Sequence, residues 1–194
     1  MKPRAYFAYA VLAVLGAGCS HVSAPVVSAR QPDVTMVLES FDEARLSRAI
    51  FEETNRVRVL HGQTLLKPDP GLNAAADEQA VYTALVLKAG HDNPMPGERN
   101  VAERVARQDE NVVHVGENAI MMPAVRLRGS GEPFYGYREF AAILVDGWMN
   151  SPAHRANMLS DKFTMLGCAA RLSHAFRKGD FRVFAIQVFA RPAS

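Results

Sequence analysis

The chain has 194 residues, 48% of them hydrophobic and 22% charged, with no low-complexity tract, which suits one compact globular domain. Its formal charge of +2 includes Lys2 and Arg4, and without the first 18 residues 20 basic residues face 20 acidic ones, so nucleic acid is excluded as a partner. The basic residues Arg126, Arg128 and Arg138, and Arg171, Arg177 and Lys178, form no helical stripe interleaved with aromatics and read as solvated charges.

The first residues read as an address rather than as part of the fold. Lys2 and Arg4 make a positive n-region, and Ala5 to Gly16 an apolar h-region too short to span a bilayer as a mature helix. Gly16-Ala17-Gly18-Cys19 closes it with small residues. The pattern is similar to a bacterial lipoprotein signal, which implies a signal peptide over 1–18, lipidation at Cys19 and anchoring to a membrane through acyl chains. Ser20 stands where an aspartate would favour inner-membrane retention, which points to the outer membrane; the alternative is a plain secretory signal and a secreted or periplasmic protein. With Cys19 lipidated, only Cys168 remains, in the apolar run Leu166-Gly167-Cys168-Ala169-Ala170, where a structural role is expected.

Residues 19–35, with Pro25, Pro32 and several serines, read as a tether, and the folded domain as 36–194. Apolar spacing predicts a first helix over 37–61, carrying Leu46, Ile50 and Val57 near one face and ended by Gly62. Asp69-Pro70 opens a second helix that closes at Gly90, which leaves His91 at its carboxyl end. A third helix over 98–108 leads through Asp109-Glu110-Asn111 to a strand over 112–122 with Glu117 in its middle. Residues 123–136 read as a long loop, whose aromatic end at Phe134, Tyr135 and Tyr137 either covers the cleft or meets a partner, or else simply packs. A fourth helix covers 137–150, with Phe140, Leu144 and Trp148 along one side. Ser151 suits an N-cap and Pro152 the first position of a short helix holding His154 in its opening turn. Strands follow at 164–172 and 181–190, the last apolar on both faces and therefore covered on both, which argues for an α/β/α sandwich.

Asn55, Arg58, Leu65, Leu72, His91, Gly116-Glu117-Asn118, Trp148, Ser151-Pro152-Ala153-His154-Arg155-Ala156-Asn157 and Gly167-Cys168 occur in an order that resembles bacterial CAP (SCP/PR-1-like) domains. The resemblance covers residues 45–190. It implies an α+β fold, a three-layer α/β/α sandwich with a central, mainly antiparallel sheet, and a cleft of histidines and glutamates that in relatives often holds zinc or another divalent metal. On it, His91, Glu117 and His154 correspond to cleft residues. The second family glutamate has no counterpart, because Ser151 stands where many members carry it.

An ionised glutamate inside an apolar strand requires a partner or a wet cleft. His91, Glu117 and His154 suit a three-ligand zinc site with a fourth position for water, or else a hydrogen-bonded Glu-His pair that orders the cleft. The helical two-histidine signature of zinc hydrolases is absent. His114 is read as facing away from the cleft by strand alternation, Arg155 and Asn157 as fixing the turn after Ser151, Ser151 as a cap rather than a nucleophile, and Trp148 as core. Two functions are expected in turn: a noncatalytic binding module for a peptide, lipid or cell-wall fragment, or a hydrolase with Glu117 as base and His91 and His154 as catalytic partners or metal ligands.

Overall fold

Periodicity does not register helix caps, and the first helix shows the consequence. The computed structural model describes residues 32–109, 111–125, 134–173 and 180–193; the signal, Cys19, most of the tether, the middle of the 123–136 loop and Arg126, Arg128, Arg177 and Lys178 lie outside them. In place of one helix over 37–61, a 3-10 turn at Leu38–Ser40 precedes α1, Glu43–Leu60. Asp42 causes the break, since its extended backbone and its carboxylate, which accepts from Arg45 N–H, form an N-cap.

The next elements are β1, Lys67–Pro68, and α2, Pro70–Val86, capped by Asp69 as expected. Helix α2 ends before Gly90, because Leu87 turns left-handed at φ 57°. His91 therefore follows a short connection rather than the helix itself. Helix α3 runs Val101–Gln108 and starts later than 98, because the side chain of Asn100 caps Glu103 N–H. Strand β2 spans Val112–Pro123, α4 Tyr137–Met149, α5 Pro152–Leu159, β3 Met165–Leu172 and β4 Arg182–Pro192.

The four strands form one sheet in the order β1-β3-β4-β2, antiparallel except for the short β1/β3 pair. Strand β4 lies at its centre and is buried from Val183 to Ala190, as its two apolar faces require. Val183, Ala185 and Phe189 join a core with Leu46 and Ile50 of α1, Phe140, Leu144 and Trp148 of α4, and Met158 of α5. Ile186, Val188 and Ala190 join a second core with Leu72, Ala76 and Ala80 of α2 and Val105 of α3. These are the layers of an α/β/α sandwich.

Two polar side chains of α1 tie it to the rest of its layer. Asn55 donates to Leu66 O and accepts from Leu66 N–H, at 3.0 and 2.8 Å. The fully buried Arg58 guanidinium donates to Thr64 O, Met158 O and Ser160 O, the last two at the carboxyl end of α5. The negative end of that helix dipole favours a cation there.

The folded unit begins a little before Met36. Asp33 accepts from Arg138 and Glu139 N–H at the start of α4, and Met36 N–H bonds Tyr135 O. The aromatic end of the loop packs: Tyr135 lies 5.1 Å from Phe140, and the Tyr137 hydroxyl accepts from Asp42 N–H at 2.7 Å. Nor are all the basic residues solvated charges, since Arg171 bridges Glu43 and Asp77, and Arg138 pairs with Asp33.

Gly167 is required where α2 rests on β3: a Cβ there would lie 2.1 Å from the Leu72 carbonyl carbon. Gly167→Ala is expected to destabilise by about 1–3 kcal/mol, as overpacking does. Urea unfolding measures this, and an unchanged midpoint would show that the helix does not sit on the strand backbone.

Candidate functional site

Glu117 projects from β2, an edge strand, toward the layer of α2 and α3, with only 2% of its side chain exposed. The partner its sequence context demands is Arg104 of α3, fully buried, whose Nη2 meets Glu117 Oε2 at 2.5 Å. The other oxygen, Oε1, lies 2.9 Å from His91 Nδ1, and since a carboxylate only accepts, Nδ1 carries the proton. Arg104 also donates to Glu98 O at 2.7 Å and His91 O at 3.4 Å, while Gln79 of α2 donates to Gly90 O at 2.7 Å. Thus the backbone that carries His91 is held from below by two buried side chains.

Arg104 is the site residue the sequence reading did not assign. Its signal was present: it adjoins Val105 and follows Val101 by three, on the apolar side of a short helix, while Glu117 lacked a partner.

Asn118, the next residue, points to the opposite layer. Its Nδ2 donates to His154 O and Gln187 Oε1, at 3.1 and 2.9 Å, and its Oδ1 accepts from Asn157 Nδ2 at 2.9 Å. Gln187 donates on to Thr54 Oγ1 at 2.7 Å. Asn157 also reaches Glu117 O, so it fastens α5 to β2 rather than fixing the turn after Ser151. Arg155 does hold that turn, through Met149 O. Ser151 occupies the N-cap position, yet its hydroxyl makes no cap bond. Gly116 leaves room for Phe163, whose ring would lie 2.8 Å from a Cβ.

The histidines thus reach β2 from the two layers. The bond to Glu117 raises the pKa of His91 above the ordinary value, against a smaller opposing effect of burial. Burial lowers that of His154, and the charge of His91 lowers it further. His114 sits in a bulge at φ 53°, where simple alternation does not run, and it is exposed. Trp148 and Cys168 are core, and burial pushes the Cys168 thiol far up, which leaves it inert.

Among the described residues, no three His, Cys, Asp or Glu side chains converge as a metal site. Both Glu117 oxygens are engaged, one by Arg104 and one by His91 Nδ1, so Glu117 is not free to act as the third ligand of a zinc site, while His91 keeps Nε2 unengaged.

Removing Arg104 would strand a buried carboxylate. Arg104→Ala is expected to cost about 3–5 kcal/mol in chemical unfolding, whereas Arg104→Leu combined with Glu117→Leu recovers most of the loss. Equal losses in the two variants would contradict a buried ion pair. Stability also depends on pH with opposite signs. The raised pKa of His91 contributes stability below the ordinary histidine value, lost as pH rises through its folded value; the lowered pKa of His154 contributes above the ordinary value, lost as pH falls through its own. His91→Gln is expected to abolish the alkaline-side loss alone, read from unfolding midpoints across pH, and its persistence would contradict the His91–Glu117 pair.

The profile of the CAP family, described as the cysteine-rich secretory protein family, matches residues 51–189. Among solved structures, the chain is similar to an extracellular protein containing an SCP domain from Bacillus anthracis, at 25% identity and a TM-score of 0.55 over 77% of this chain. It spans 41% of that protein's length. It is also similar to an outer surface protein from Borrelia burgdorferi, at 14% identity and a TM-score of 0.57, over 83% of this chain and 99% of that one. No curated protein sequence matches significantly. With more than two thirds of its length matched and the expected sandwich in place, the chain belongs to the CAP family of cysteine-rich secretory proteins.

Proposed function

We propose that the protein is a bacterial cell-envelope lipoprotein whose CAP domain is a noncatalytic binding module, taking a peptide, lipid or cell-wall fragment at the cleft of His91, Glu117 and His154. The observation that carries this proposal is the state of Glu117, held on one oxygen by a buried guanidinium and on the other by His91. A carboxylate engaged on both oxygens in this way is not presented to a substrate or to a metal ion. It serves instead to favour the charged form of His91, whose Nε2–H is left to meet a carboxylate, phosphate or carbonyl of a ligand. His154, kept neutral by burial, supplies an acceptor.

A hydrolase at the same cleft is favoured by one observation, the opposed shifts of the two histidines, which pair an acid with a base. The descriptions of the Bacillus relative as extracellular and of the Borrelia relative as an outer surface protein support an envelope or secreted location. The small-residue box before Cys19 supports the lipid anchor.

Protein purified from the envelope, with any co-purified ligand identified by mass spectrometry and its metal content measured, tests the proposal against a variant with His91→Ala and His154→Ala. The expected result is a bound ligand in the wild type, lost from the variant, without turnover. Stoichiometric metal and hydrolysis that disappear together in the variant would establish the hydrolase instead. Cys19→Ser is expected to release the protein from the membrane fraction, and an unchanged fraction would contradict the anchor.

A further inference from the structure

On the side of the sheet away from the cleft, α1 and α2 stand over the outer part of β3. Between them lies a cavity of about 500 Å³, within the roughly 300–1,000 Å³ of ordinary ligand pockets. Helical spacing sets its walls, with Ala44, Ser47, Arg48 and Phe51 on one face of α1 and Asn73 and Asp77 on one face of α2. Arg171 of β3 reaches both walls, meeting Glu43 on α1 and, at 2.6 Å, Asp77 on α2. A ligand can reach these groups: the side chains of Asp77, Glu43 and Arg171 are 43%, 34% and 30% exposed, and Ala44, Arg48 and Asn73 are exposed as well. The β3 residues behind them, Ala169 and Ala170, are buried, so the cavity offers side chains rather than a strand edge.

Charge and hydrogen-bonding capacity together restrict what fits. Glu43 and Asp77 balance Arg48 and Arg171, so neither a cation nor an anion meets a surplus of opposite charge. Burial also raises the pKa of Asp77 and lowers that of Arg171, the mark of an interior that disfavours added charge. The capacity left unspent is mixed. Asn73 Oδ1 accepts from Cys168 N–H, which holds the amide in place and leaves Nδ2 as a donor without a partner among the described residues. Ser47 Oγ donates to Glu43 O and keeps its lone pairs, and Arg171 takes Oε2 of Glu43 and leaves Oε1. Donors and acceptors side by side, without net charge, are met by hydroxyl groups, each of which donates once and accepts twice. On the same wall the half-buried ring of Phe51 supplies an apolar surface for the C–H face of a sugar.

We propose that this cavity binds an uncharged saccharide, with its ring against Phe51 and its hydroxyls between Asn73, Ser47 and Glu43. The site is separate from the cleft at His91 and stands whichever reading of that cleft holds. The test is an NMR titration of the 15N-labelled full-length chain with three neutral disaccharides, cellobiose, maltose and chitobiose. The chitosan disaccharide and cellobiouronic acid serve as cationic and anionic counterparts, and acetyl-dialanine methylamide as an uncharged peptide. A neutral disaccharide is expected to shift the Ser47, Phe51 and Asp77 amides and the Asn73 side-chain NH2, and the charged counterparts to bind about tenfold more weakly. Asn73→Asp keeps the acceptor for Cys168 N–H but removes the open donor, and Ala44→Trp fills the exposed mouth of the cavity. Each is expected to abolish the shifts while the His91 titration stays as in the wild type. No shift with any of the three sugars, equal binding of a charged counterpart or of the peptide, or wild-type binding by either variant would overturn the proposal.

Discussion

A carboxylate inside an apolar strand is stable only if its charge is met, and the Glu117–Arg104 pair meets it with both side chains almost wholly out of water. Much around the cleft follows from that pair. Helix α3 must lie against β2 for Arg104 to reach it, and the guanidinium then has donors left for Glu98 O and His91 O, which shape the 91–100 segment. His91 is consequently placed on the other oxygen of Glu117, which favours its charged form. One buried ion pair thereby orients a half-exposed imidazole at the sheet edge.

The opposite layer uses neutral groups for the same purpose. Asn118, Gln187 and Thr54 form a buried amide and hydroxyl chain from α5 through β2 and β4 to α1, and Asn157 closes it onto Glu117 O. Because adjacent strand residues face opposite layers, Glu117 and Asn118 carry the two supports on one short motif. Arg58 adds a third hold on α5 at its far end. The His154 helix is thus secured at both termini, while its imidazole is left in a desolvated position that disfavours charge.

The pattern that sequence reveals is periodicity, and the elements that depend on it are in place. The two-faced apolar run of β4, the Phe140-Leu144-Trp148 stripe and the strand around Glu117 all occur where spacing put them. Departures arise where a single side chain overrides the period. Asp42 splits the first helix, Leu87 ends the second before Gly90, and Asn100 delays the third. His91, Glu117 and His154 were visible as residue types in motifs, but a partner thirteen residues from Glu117 in sequence, on another element, was not, since no local spacing links α3 to β2. The same holds for Arg171, whose charge reads as solvated until α1 and α2 bring Glu43 and Asp77 to it.

The central claim is that Glu117 is consumed in holding Arg104 and His91, so that the cleft presents two imidazoles shifted in opposite directions rather than a free carboxylate. Histidine side-chain 15N NMR across pH reads this directly in the wild-type protein. The account predicts that His91 titrates above the ordinary histidine value with Nδ1 protonated throughout, and that His154 titrates below it. Coincident titration of the two rings, or a His91 whose Nδ1 loses its proton first, would contradict it.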